Sequence, residues 1–171
     1  MKKILFILLL LLASCTFKQD YFSLSIDDYT ISVGYDDAEY LDVAFNFDMK
    51  EELMPNEVIK DIDIYLFDSL LGVGEFTNKK SKENGSDKAV LSKITIYLED
   101  LKGREFKLNG ESLDSSIKKN CDRYNGTYIS KNGYACVIEN KVQDELNVVE
   151  LHGDYLNLDQ DKLNHIIIYV E

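Results

Sequence analysis

Along most of this chain apolar and polar residues alternate with a period of two, the pattern of strands that bury one face. Phe22, Leu24 and Ile26 share one face, and Tyr29, Ile31 and Val33 fall on the opposite parity. A bulge or bend at Asp27-Asp28 is therefore expected, because a one-residue slip turns every later side chain over. Leu41, Val43, Phe45 and Phe47 form the next set. Ile62, Ile64 and Leu66 follow, with Tyr65 and Phe67 on the other face, so this strand is expected to be central. Further strands are expected at Ile94, Ile96 and Leu98, at Phe106 and Leu108, and at Tyr134, Cys136 and Ile138. Leu146 and Val148, with Val149 and Leu151 on the other parity, and then Ile166, Ile168 and Val170 complete the series.

One segment has helical spacing. Leu113, Ile117, Cys121 and Tyr124 make a single stripe, which predicts a helix over about 113–125. Ser112 or Asp114 is placed to cap its start, and Asn125-Gly126 to stop it. A helical turn around Pro55 is expected within Glu51 to Val58. The polar stretch Asn78 to Lys88 reads as an exposed loop, and the lone pattern Gly72-Val73-Gly74 as a turn. Eight or so short strands with polar turns argue for a mainly β fold, a β-sandwich carrying one helix. The kinked first strand followed by YLDVAFNF resembles the immunoglobulin-like sandwich domains of small bacterial lipoproteins, over about 80 residues of strand pattern. An α+β fold with a single sheet packed on the helix is the competitor.

The amino terminus changes the picture. Lys2 and Lys3 precede an apolar run from Ile4 to Ala13. A spanning helix needs about 20 apolar residues, so this run has instead the length of a signal-peptide core. It ends in Leu12-Ala13-Ser14-Cys15, which resembles the bacterial lipobox. The resemblance implies export, cleavage before Cys15, and a diacylglyceryl group on the Cys15 thiol. Residues 1–14 would then be the signal peptide, 15–20 a lipidated tether, and 21–171 a single extracytoplasmic domain. The five tether residues Thr16 to Asp20 reach about 17 Å when extended, which keeps the domain close to the bilayer. Thr at position 16, in place of Asp, implies the outer membrane where the host has two.

Charge and composition narrow the partners. Loss of Lys2 and Lys3 lowers the formal charge from −12 to −14. Such a surface repels nucleic acid and anionic headgroups, and no basic stripe offsets it, so no nucleic-acid partner is expected. The expected contacts are the membrane, through lipid on Cys15, and an envelope protein or glycan. The oligomeric state is not read from the sequence.

With Cys15 acylated, Cys121 and Cys136 remain. In a compartment without cytosolic reductants they are expected to form a disulfide that pins helix to sheet, with metal binding or free thiols as the alternatives. The absence of C-x-x-C argues against a thioredoxin-like role. The acidic pairs Asp27-Asp28, Asp36-Asp37 with Glu39, and Asp61 with Asp63 could serve glycoside hydrolysis if two faced each other across a cleft, but abundance explains them. Asn157, Asp159 and Asp161 resemble the first half of a calcium loop. The pattern then fails, with Lys162 where Gly is needed and Ile168 where Glu belongs. His152 and His165 have no nucleophile in a recognisable setting. The 11 Tyr and 8 Phe can line a sugar or peptide platform, although core and sheet surface use them more often. No catalytic residue, metal site or cofactor is assigned. The expected role is a membrane-anchored binding or envelope-interaction module. An envelope glycan or peptide hydrolase and an accessory ligand-binding protein of a transporter are the alternatives.

Overall fold

The computed structural model describes residues 21–34, 45–47, 57–80, 87–129, 135–142, 144–153 and 161–171. Its strands are β1 (Ser23–Ile26), β2 (Tyr29–Ser32), β3 (Phe45–Phe47), β4 (Val58–Leu66), β5 (Ser69–Lys80) and β6 (Asp87–Tyr97). After a 3-10 turn at Leu98–Leu101 come β7 (Phe106–Leu108), β8 (Glu111–Ser112), the helix α1 (Ile117–Arg123), β9 (Thr127–Ile129), β10 (Ala135–Val142), β11 (Glu145–Gly153) and β12 (Leu163–Val170). They form two antiparallel sheets, a small one ordered β2-β1-β7-β8 and a large one ordered β3-β4-β5-β6-β12-β11-β10-β9.

Both sheets and the helix bury their apolar faces in one core. The small sheet contributes Leu24, Ile26, Ile31 and Leu108, and the large sheet Ile64, Leu66, Ile94, Ile96, Val149, Leu151, Ile166 and Ile168. This is the expected class: mainly β, with two sheets and one helix among the described residues, and a disulfide between helix and sheet. The single-sheet alternative is not adopted. The expected central strand β4 lies between β3 and β5, and Phe67 falls outside it, in the following turn.

Several local expectations are corrected. The parity change at Asp27-Asp28 is not a bulge within one strand but a chain reversal. Ile26 pairs with Tyr29, Leu24 with Ile31, and Asp27 takes φ +52°. A two-residue reversal preserves which face is buried on each arm, so sequence parity alone does not separate it from a bulge. Gly72 and Gly74 lie inside β5, not in a turn. A Cβ on Gly72 would stand 1.9 Å from the Thr95 carbonyl oxygen, so glycine there admits close approach of β6. The Asn78–Lys88 stretch begins and ends in strand, with Lys79 opposite Lys88 and Lys80 opposite Asp87. Residues 81–86 lie outside the described residues, as do the expected Pro55 turn, Leu41, Val43 and Tyr134.

The helix is shorter than its stripe. It spans Ile117–Arg123, and Ser116, not Ser112 or Asp114, is its N-cap, accepting from the Lys119 amide at 3.2 Å. Leu113 precedes the helix, with its amide on the Phe106 carbonyl at 2.8 Å. Leu113 and Tyr124 still pack on the core beside Ile117 and Cys121. The stop lies where expected, with Asn125 at φ +52° and the Gly126 amide on the Cys121 carbonyl at 2.9 Å.

Candidate functional site

A helix of seven residues is unstable in isolation, so contacts made elsewhere must hold α1. The Cys121–Cys136 disulfide is formed with a Cα separation of 5.6 Å, inside the range a bridge requires. It joins α1 to β10, as expected. Gly126 makes the join possible, because a Cβ there would lie 2.5 Å from the Cys136 sulfur and 2.9 Å from the Val137 carbonyl oxygen.

Asp161 has a structural task. Its Oδ2 accepts from Ser116 Oγ at 2.5 Å, its Oδ1 from the Lys118 amide at 2.9 Å, and its carbonyl from the Ile117 amide at 2.9 Å. The calcium-like pattern therefore ends in a residue that caps α1 from across the chain. Asn157 and Asp159 lie outside the described residues.

Among the described residues the acidic pairs do not gather. Asp27 accepts from the Glu105 amide at 3.0 Å and from Arg104 Nη1 at 2.8 Å. Those two bonds, in that order, hold its carboxyl below the usual range. Asp61 takes φ +58° where the β4–β5 register shifts between Ile59 and Ile62, so the simple alternation that put Asp61 and Asp63 on one face is interrupted. Asp36, Asp37 and Glu39 lie outside the described residues, as does Cys15. Among the described residues no group of three His, Cys, Asp or Glu is placed to hold a metal ion, and no helix is long and apolar enough to cross a membrane.

The side chains that the fold does bring together are on the outer face of the large sheet. Ile94, Ile96, Val149, Leu151, Ile166 and Ile168 point to the core, so alternation sends their neighbours outward. Register then aligns Tyr97 with His165, His165 with His152, His152 with Ala135, and Ala135 with Ile129. The next row inward runs Val73, Thr95, Ile167, Glu150 and Val137. The two imidazoles stack with centroids 4.6 Å apart and planes within 4°, and Tyr97 lies 6.1 Å from His165. His152 Nε2 contacts Glu150 Oε2 at 2.7 Å, and Tyr169 donates to Glu150 Oε1 at 2.9 Å. Burial, then the bond to Glu150, pushes the Tyr169 phenol up to about 12. Burial, then the charge of His152, holds His165 below its ordinary value, against the opposing pull of Glu150. The His152 Nδ1 atom is buried and has no hydrogen-bond partner among the described residues.

This row supplies a carboxylate, two imidazoles and two phenols on one sheet face, with Tyr97 and Ile129 exposed at 41% and 44%. It carries acid–base groups and flat surfaces for contact. Sequence reasoning met the histidines singly and missed the pair. Their shared parity with Glu150 and Tyr169 was readable, but the β11–β12 register that sets them opposite one another was not. Comparison with protein-family models, curated proteins and solved structures finds no match to this chain.

Proposed function

We propose that this chain is a lipid-anchored extracytoplasmic protein that works as a binding module of the cell envelope. One observation carries the reading: a basic pair, a ten-residue apolar run and the box Leu12-Ala13-Ser14-Cys15 follow one another in the order that directs lipoprotein export. The first described strand begins at Ser23, a short tether beyond Cys15, and two acyl chains anchor stably where one does not. The Cys121–Cys136 bridge suits an oxidising compartment. A two-sheet domain with a short lipidated tether also fits the likeness to sandwich domains of small lipoproteins.

Binding is favoured over hydrolysis by the dispersal of the carboxylates among the described residues, Asp27 being committed to Arg104 and the Glu105 amide. The outer face of the large sheet, with Tyr97 and the imidazole row, is the surface assigned to contact. Cells fed labelled palmitate should label the wild-type chain and leave Cys15→Ser unlabelled. Equal labelling of both rejects the anchor. A photo-crosslinking residue at Tyr97 should capture an envelope component in the same cells, where one at the exposed Thr30 of the small sheet does not. Equal results at the two sites reject the assigned face.

A further inference from the structure

We propose that the stacked His152–His165 pair is a proton-operated catch that closes the end of the β11–β12 ladder and, through the start of β12, keeps α1 docked. The inference is independent of the anchor.

The pair tolerates one positive charge better than two. Its rings lie face to face at 4.6 Å, on strands that oppose His152 to His165 directly. Two imidazolium ions in that arrangement repel, and partial burial removes water that would screen them. Among the described residues, the titratable and charged side chains on this face are Glu150 of β11, Tyr169 of β12 with Glu171 after it, Tyr97 and Lys93 of β6, Glu139 and Lys141 of β10, Glu75 of β5, and Lys60 and Asp63 of β4. Glu150 is the carboxylate in contact, and it touches His152 with one oxygen while Tyr169 takes the other. Lys93 adds positive charge and is itself paired with Glu75 at 3.4 Å. A proton on each ring therefore leaves His165 without a carboxylate of its own.

The location gives that repulsion a consequence. The register slips immediately beyond the pair, between His152 and Gly153, and only Gly153 opposite Leu163 continues the ladder. Two residues before His165, the Leu163 amide donates to the Ser115 carbonyl at 2.7 Å, and Lys162 bridges Ser116. Asp161 then holds the Ile117 and Lys118 amides. Separation of the imidazoles at His165 pulls on the segment that caps the helix, and the Cys121–Cys136 bridge keeps the freed helix tethered to β10.

The direction with pH follows from linkage. His165 ionises below its ordinary value of 6.5 in the folded chain, so the unfolded chain binds more protons in that interval. The stabilisation is complete above 6.5 and is lost as the pH falls from there through the folded value. The test follows both imidazoles by NMR in the full chain from about pH 8 to pH 5, the range in which histidine titrates. His165 should titrate below 6.5 in the wild type, and its midpoint should rise in His152→Gln. Hydrogen exchange, corrected for intrinsic rates, should quicken on acidification, by about tenfold for each pH unit by which the folded midpoint lies below 6.5. At each pH below 6.5 the amides of Leu151, Leu163, Ile166 and the first turn of α1 should exchange through a local opening, faster than those of Ile94 and Ile96, which exchange through global unfolding. A wild-type midpoint at or above 6.5, a midpoint unmoved by His152→Gln, or Leu151, Leu163 and Ile166 exchanging no faster than Ile94 and Ile96 overturns the proposal.

Discussion

Asn120 and Asn147 are the buried polar side chains of the described core, and each serves a backbone group that strand or helix pairing leaves over. Asn147 Oδ1 accepts from the Phe22 amide at 2.7 Å, which fixes the entry into β1. Asn120 closes a reciprocal pair with Asp114, accepting from its amide at 2.8 Å and donating to its carbonyl at 2.7 Å. Removing a partner from buried groups costs their desolvation, so Asn120→Ala should destabilise by about 2–4 kcal/mol. A shift of the urea midpoint to lower concentration at unchanged slope checks it, and a midpoint within error of wild type refutes it. Gly126→Ala places a methyl group against the Cys136 sulfur, and overpacking of that kind costs about 1–3 kcal/mol. Neither asparagine is conspicuous in the sequence, because an amide on a helix or strand is ordinarily a solvated one. The cysteines were legible, since the export expected from the amino terminus points two remaining cysteines to a bridge whatever the fold.

At the scale of elements, α1 shows how a stripe can be right and its boundaries wrong. Leu113 belongs to the apolar face, yet its amide bonds to Phe106 of β7, and helical geometry starts only after Ser116. A tertiary hydrogen bond outcompetes one further turn of helix because each added turn of a short helix contributes little by itself. The same weakness makes the disulfide matter. With a separation of 15 residues, the chain-entropy contribution of the bridge is about 3 kcal/mol. Replacing Cys121 and Cys136 by alanine should therefore lower Tm by about 6–12 °C, at the usual 2–4 °C per kcal/mol for a domain of this size. Thermal denaturation of the double variant is the measurement. A Tm unchanged from wild type would mean that the helix is held by Asp161, Asn120 and core packing alone. Thiol titration of unfolded, unreduced protein lacking Cys15 should find no free thiol.

For the molecule as a whole, charge and layering set what it can meet. A chain of formal charge −12 must overcome phosphate repulsion before any contact with nucleic acid forms. A mixed-sequence duplex at physiological salt should show no binding up to about the micromolar range typical of non-specific sites. Micromolar affinity would require a local basic surface strong enough to outweigh the total. The two sheets divide the outer surface unevenly. The small sheet turns serine and threonine outward, with Ser25 and Thr30 in contact at 2.8 Å. The large sheet turns out Tyr97, the imidazole pair and Glu150, so its outer face carries titratable and aromatic groups while its inner face carries the core.

What the sequence determined by itself was local: the period-two pattern that makes strands, the apolar stripe around Ile117 and Cys121, the two cysteines, and the excess of negative charge. These follow from side-chain spacing and composition, which a linear chain already contains. What the tertiary structure decided was register and reversal. Asp27-Asp28 became a hairpin, Asp161 became the cap of a helix that begins more than forty residues earlier, and Glu150, His152, His165 and Tyr169 became one cluster. A strand's parity says which residues share a face, but the residue opposite is set by how two strands slide past each other. That alignment is fixed by the buried faces of several elements at once, through loops whose closure costs little and therefore specifies little.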